Sequence, residues 1–95
     1  MSKLIRFSKR VIDALPPQPA TAKARECEYS DTEVSGLKLL INRQGRKFFY
    51  LRYRHAGRQR SMKLGNYGEL DVSEARLLAL KYRAQLSSGI DPQEI

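Results

Sequence analysis

The chain has 95 residues, which suits one domain with a single modest core and leaves little material for a deep catalytic cleft beside it. Hydrophobic residues make up 41% and charged residues 29%, an ordinary globular balance unlike that of disordered, fibrous or membrane chains. A formal net charge of +8 at pH 7 is large for this size and favours a polyanionic partner, nucleic acid first.

Met1 to Ala24 is polar and basic around Val11, Ile12 and Leu15, and then runs into Pro16, Pro17 and Pro19. Ser8 is placed to cap one or two helical turns that the prolines stop. This reads as a lead-in laid over the core and anchored by Phe7, Ile12 and Leu15, with boundaries at 1–24 for the lead-in and 25–95 for the domain proper. Arg25 to Tyr29 is compatible with an extended stretch, and Ser30, Asp31, Thr32 and Glu33 read as a turn. Cys27 is the single cysteine and His55 the single histidine, so neither an internal disulfide nor a structural zinc ligand set is expected. No apolar run is long enough to span a bilayer, and the amino terminus lacks the apolar stretch of a secretory signal. A reduced, cytosolic protein is the natural reading.

Gly36 opens the first clear strand, in which period two sends Leu37, Leu39 and Ile41 to one face and Lys38, Leu40 and Asn42 to the other. Arg43 to Arg46 supply a turn, with Gly45 holding a positive φ. Along Lys47 to Arg54, Phe49, Leu51 and Tyr53 share the apolar face, while Phe48, Tyr50, Arg52 and Arg54 share the other. After a turn at His55, Ala56 and Gly57, the strand Arg58 to Gly65 places Met62 and Leu64 with the apolar face and Gln59, Ser61 and Lys63 with the basic one. Asp71-Val72-Ser73-Glu74 has capping-box spacing and starts a helix. Val72, Ala75, Leu78, Ala79, Tyr82 and Leu86 form its apolar face, Glu74, Arg76, Lys81, Arg83 and Gln85 face solvent, and Gly89 ends it. The expected fold is α+β: a three-stranded antiparallel sheet packed on one carboxy-terminal helix, with an extended or short-helical amino-terminal lead-in.

One helix covers one face of a sheet, and the apolar face must be the covered one. The basic face then stays open. Between Gly36 and Gly65 stand nine cations, Lys38, Arg43, Arg46, Lys47, Arg52, Arg54, Arg58, Arg60 and Lys63, with no Asp or Glu among them. The open face would present Lys38, Leu40, Asn42, Tyr50, Arg52, Arg54, Gln59, Ser61 and Lys63, with Arg43, Arg46, Lys47, His55 and Arg58 flanking from the turns. Lysines suit phosphates, an arginine fork fits guanine, and Asn42 and Gln59 have the amide geometry for adenine. The plainer alternatives are solvated charge for the cations and cross-strand packing for Phe48 and Tyr50. Glu26 and Glu28, two apart in an extended stretch, share a face that ordinary solvation explains. No phosphate loop, metal cluster or triad is present in the sequence, so catalysis by this fragment is not expected and no cofactor is implied.

In order, Ser30-Asp31, Gly36-Leu37-Lys38-Leu39, Gly45-Arg46-Lys47-Phe48-Phe49, Arg52-Tyr53-Arg54, Gly57-Arg58, Leu64-Gly65-Asn66-Tyr67, Glu74-Ala75-Arg76 and Gly89-Ile90-Asp91-Pro92 form a series. From about Phe7 onward it resembles the amino-terminal arm-type DNA-binding domain of tyrosine-family integrases, the site-specific recombinases of phages, satellite phages and pathogenicity islands. Phe49 stands where that family often has Trp, and Gly68 where it usually has Pro; both touch packing or a loop and spare the basic face. The resemblance implies a three-stranded sheet inserted into the major groove of arm-type sites in double-stranded DNA, in support of integration or excision of a mobile element. It also implies a full-length tyrosine recombinase whose catalytic domain is absent from this chain, and a cytoplasmic, nucleoid-associated place in a bacterium. Further implied partners are other recombinase subunits and accessory excision or host factors, with no membrane. Two rival readings remain: a binder of RNA, or of DNA without sequence preference, and a domain that contacts neighbouring subunits.

Overall fold

The computed structural model describes residues 3–94; Met1 and Ser2 of the lead-in and Ile95 at the end of the expected domain lie outside the described residues. In chain order the elements are β1 (Lys3–Ile5), α1 (Lys9–Asp13), β2 (Glu26–Asp31), β3 (Leu37–Asn42), β4 (Lys47–His55), β5 (Arg58–Asn66) and α2 (Val72–Ser87), followed by a 3-10 turn at Pro92–Glu94. The strands form one five-stranded sheet in the order β1-β2-β3-β4-β5, with β1 parallel to β2 and every other neighbour antiparallel.

The class is α+β, but the expected three-stranded antiparallel sheet is incorrect: the sheet is five-stranded and mixed. Strands β3 to β5 lie where the alternation put them. The missed strand β2 pairs with β3 from Glu26 opposite Asn42 to Ser30 opposite Lys38. Its end carries Ser30 and Asp31, residue types that favour turns in isolation. Here Asp31 is a buried strand residue because distant groups satisfy it. Arg76 Nε donates to Oδ2 at 2.9 Å, Arg76 Nη2 to Oδ1 at 3.1 Å, and the Phe7 amide to Oδ1 at 3.1 Å. Arg76, expected to face solvent, is therefore a partly buried strut whose Nη2 also donates to the Phe7 carbonyl at 2.9 Å. Strand β1 spans three residues, too few for a period-two pattern to announce itself.

The core lies between the helices and one face of the sheet. Phe7, Ile12, Leu37, Leu39, Ile41, Phe49 and Leu51 are fully buried, and α2 adds Val72, Ala75 and Ala79. The two alanines let the helix axis approach the sheet closely. Phe49 sits between two rings, with centroids 6.2 Å from Phe7 and 5.9 Å from Tyr67. The lead-in anchors are in place: Phe7 and Ile12 are buried, and Leu15 packs against them. Farther along, the Gln18 amide donates to the Asn42 carbonyl at 3.1 Å, tying the proline-rich stretch to the end of β3.

Local signals act as their chemistry dictates. Ser8 Oγ accepts from the Val11 amide and caps α1, while Asp71 and Glu74 form a reciprocal capping box on α2. The β3–β4 turn uses Gly45 at φ 84°, and the Asn42 side chain accepts from the Arg46 amide at 2.9 Å. The β4–β5 turn has positive φ at both Ala56 (52°) and Gly57 (76°), the backbone of a tight hairpin that follows strand twist.

Candidate nucleic-acid interface

Register fixes which side chains share the face opposite the helices. Ser30, Lys38, Tyr50 and Lys63 form one row across β2 to β5, and Glu28, Leu40 and Phe48 form the next. Arg52 pairs with Ser61, Arg54 with Gln59, and Glu26 with Asn42. Leu4, opposite Ser30, carries the face onto β1 and is highly exposed. Both helices contribute their buried residues to the other side, with Leu37, Leu39, Ile41, Phe49 and Leu51. Arg54, Gln59, Ser61 and Lys63 are exposed, whereas Lys38, Leu40, Asn42, Tyr50 and Arg52 are half-buried among their neighbours.

Several of these side chains are oriented by neighbours. Lys38 Nζ donates to Ser30 Oγ at 2.7 Å. Lys63 Nζ stands 4.5 Å above the Phe48 ring, a cation–π contact that pins both. Arg52 Nη1 pairs with Glu28 Oε1 at 2.7 Å, and its Nε lies 3.5 Å from Ser61 Oγ. Arg54 reaches the Gly57 carbonyl at 3.5 Å, at the hairpin tip. At the turns, Arg46 and Arg58 are exposed, while Arg43 Nη2 donates to the Ala22 carbonyl at 2.7 Å and so holds the lead-in.

Two cations of the basic run lie elsewhere. Lys47, opposite Ile41, is on the helix side, where Nζ donates to the Ile12 carbonyl at 2.6 Å. Arg60, opposite Tyr53, also faces that side and pairs with Asp91 at 2.6 Å and Glu94 at 2.9 Å. Nor is the open face free of acids, since β2 brings Glu26 and Glu28 onto it. Their spacing of two in an extended stretch was the available signal; without the β2–β3 pairing, it pointed to no particular face.

The Arg60 cluster locks the chain after α2. Asp91 is buried and accepts from Tyr53 Oη at 2.6 Å and from the Gln93 amide at 2.9 Å, while Gln93 Nε2 donates to Tyr53 Oη at 2.7 Å. Ligand atoms of His55, Asp91 and Glu94 lie within 4.8 Å of one another, a trio assembled by the fold from distant parts of the sequence. Arg60 Nη1 pairs with both carboxylates, one cation shared between two anions. An open groove of about 900 Å³ separates the lead-in from the start of α2, lined by Phe7, Val11, Asp13, Tyr67, Val72 and Arg76 among others. In it Tyr67 Oη donates to Asp13 Oδ1 at 2.7 Å; burial and that carboxylate push the phenol up to about 12.

A mixed sheet backed by one long helix, its other face carrying Lys38, Arg52, Arg54 and Lys63 together with Glu26 and Glu28, makes this a small α+β module. The family model of the arm DNA-binding domain matches residues 7–95, and the chain belongs to that family. It is 35% identical over 75 residues to the integrase of Shigella phage Sf6, covering 79% of this chain and 20% of that protein. The same figures hold for the prophage integrase IntS of Escherichia coli K12. Prophage integrase IntZ of the same strain is 32% identical over 88 residues, covering 93% of this chain and 21% of that protein. The chain thus spans about a fifth of the length of these curated relatives. None of the helices among the described residues is long and apolar enough to cross a membrane.

Proposed function

We propose that this chain is the arm-site-reading domain of a tyrosine-family integrase and that it reads duplex DNA through the uncovered face of its sheet. The observation that carries the reading is the set Lys38, Arg52, Arg54 and Lys63, interleaved with Asn42, Tyr50, Gln59 and Ser61 on a face neither helix covers. Strands are spaced by about 4.8 Å, so three strands measure about 10 Å from first to last axis and five about 19 Å. A major groove is about 12 Å wide. Three strands enter at most, and β3 to β5 are the ones that carry the cations, whereas β2 carries Glu26 and Glu28.

Within that face we assign the roles by side-chain chemistry. Arg52, Asn42 and Gln59 supply the forked or amide groups that read base edges, Leu40 offers apolar contact to a thymine methyl, and Lys63 and Lys38 hold phosphates. Arg43, Arg46 and Arg58 flank the groove from the turns, and Tyr50 and Ser61 add hydrogen-bonding groups. Lys47 serves by fixing α1 to the sheet. In the whole protein, with 1–24 as lead-in and 25–95 as the arm-type domain, such a module would bridge an arm site to a core site bound by the recombinase parts beyond this chain. On this reading it acts on bacterial DNA in the cytoplasm, beside other recombinase subunits and accessory excision or host factors.

Selection of random duplexes by the chain at near-physiological salt tests this directly. Enrichment of one short motif is expected; binding without enrichment overturns site reading and leaves a nonspecific clamp or a subunit-contact domain. Lys63→Ala should weaken all duplexes about equally and reduce the salt slope by about one, whereas loss of a base-reading arginine should cost roughly 1–3 kcal/mol on the selected motif alone.

A further inference from the structure

We propose that Glu28 is a positioning residue which holds the Arg52 guanidinium ready to read one guanine, so that this pair sets one base of the recognised duplex. The inference rests on the reading of the open face as a DNA interface.

A carboxylate on a surface that meets phosphates opposes binding, so its presence calls for a compensating role. Glu28 sits on β2 and Arg52 on β4, with β3 between them. To meet, the arginine lies across β3 and closes on Glu28 Oε1 at 2.7 Å, and the Glu28 side chain is only 19% exposed. Ser61 Oγ lies 3.5 Å from Nε. An unrestrained arginine gives up rotamer freedom when it docks. One already fixed gives up less, and its planar fork is set before DNA arrives. With Nη1 committed to Glu28 through one N–H, its second N–H and the Nη2 group still offer paired donors for guanine O6 and N7. Arg54 differs in both respects: it is exposed at the hairpin tip and reaches only a backbone carbonyl. Arg52 is therefore the base reader of the two, and Arg54 a phosphate contact.

The test compares duplex selections by wild type, Arg52→Ala, Glu28→Ala and Glu28→Gln, with thermal unfolding confirming that each variant is folded. Wild type is expected to enrich a motif containing a guanine whose preference both Arg52→Ala and Glu28→Ala lower by roughly 5- to 150-fold at the same position. Glu28→Ala should at the same time tighten binding to unrelated duplexes, because a negative charge has gone. Glu28→Gln keeps an acceptor and should restore part of the preference. An unchanged guanine preference in Glu28→Ala overturns the proposal, as does a loss confined to a different, cytosine-containing position that Arg52→Ala leaves alone, because Glu28 would then read that cytosine itself. If wild type enriches no motif, the underlying reading of the face fails instead.

Discussion

Phe49 has no exposed surface and stands between the rings of Phe7 and Tyr67, so its removal empties the middle of the core. Phe49→Ala should cost about 3–5 kcal/mol in denaturant unfolding; a cost below 1 would mean that neighbouring side chains refill the space. Gly36 is constrained for another reason. Its φ is +87°, and a Cβ there would lie 2.5 Å from the Arg52 carbonyl oxygen, which is backbone and has nowhere to go. Gly36→Ala should therefore lower the melting temperature more than Gly57→Ala, whose Cβ would meet nothing within 4 Å. Asp31 gives a pH signature. Burial pushes its carboxyl up, but the Arg76 guanidinium and backbone amides including that of Phe7 outweigh this and hold it below the usual carboxylate range. The unfolded chain takes up its proton near pH 4, before the folded chain does, so the pair's stabilisation is complete above that pH and disappears as pH falls through the lower folded value. Unfolding measured from pH 7 to pH 2 should show wild type losing this contribution in acid. Asp31→Asn, less stable at pH 7 because Arg76 loses its counter-charge, should lack that part of the acid loss.

The β4–β5 hairpin has a correctable flaw at its tip. Ala56 occupies a left-handed conformation at φ 52°, which costs a residue with a Cβ roughly 1–2 kcal/mol, while asparagine tolerates it better and Asn-Gly is the favoured pair in such turns. Ala56→Asn should raise stability by about 0.5–1 kcal/mol without changing the register; a fall would indicate that the tip relaxes to another turn. This hairpin and β3 were legible in the sequence because Leu37, Leu39, Ile41, Phe49, Leu51 and Tyr53 alternate cleanly with polar or basic residues. The capping boundaries of α1 and α2 were legible too, since a cap is local chemistry. Strand β2 was not, because its inward positions are Cys27, Tyr29 and Asp31, and the last is acceptable inside only through Arg76, 45 positions away. The same omission concealed the part of the open face that β2 supplies, Glu26, Glu28 and Ser30. Composition between Gly36 and Gly65 gave the cations but could not show that Glu28 lies across β3 from Arg52, or that Arg60 turns inward to Asp91.

At the scale of the whole molecule, the lead-in is part of the folded body. It supplies Phe7 and Ile12 to the core, the Phe7 amide to Asp31 and the Ile12 carbonyl to Lys47. A chain starting at Arg25 should lose well over 4 kcal/mol from two vacated core positions alone, a large share of the roughly 5–15 kcal/mol that holds a domain together. The expected outcome is loss of a cooperative thermal transition, and a melting temperature close to that of the whole chain would show the segment to be dispensable. Strands β2 to β5 form a meander in which each partner is the next strand along the chain, so their pairings close short loops. Strand β1 runs parallel to β2 and docks through the longer proline-rich connection, a closure that costs roughly 1 kcal/mol more in chain entropy than the short turns of the meander. The expected order is therefore the meander first, with the parallel edge arriving last and leaving first. In a hydrogen-exchange experiment the Thr32 amide, bonded to the Ile5 carbonyl at 3.0 Å, should exchange well before the paired amides of β4, although both belong to one continuous sheet.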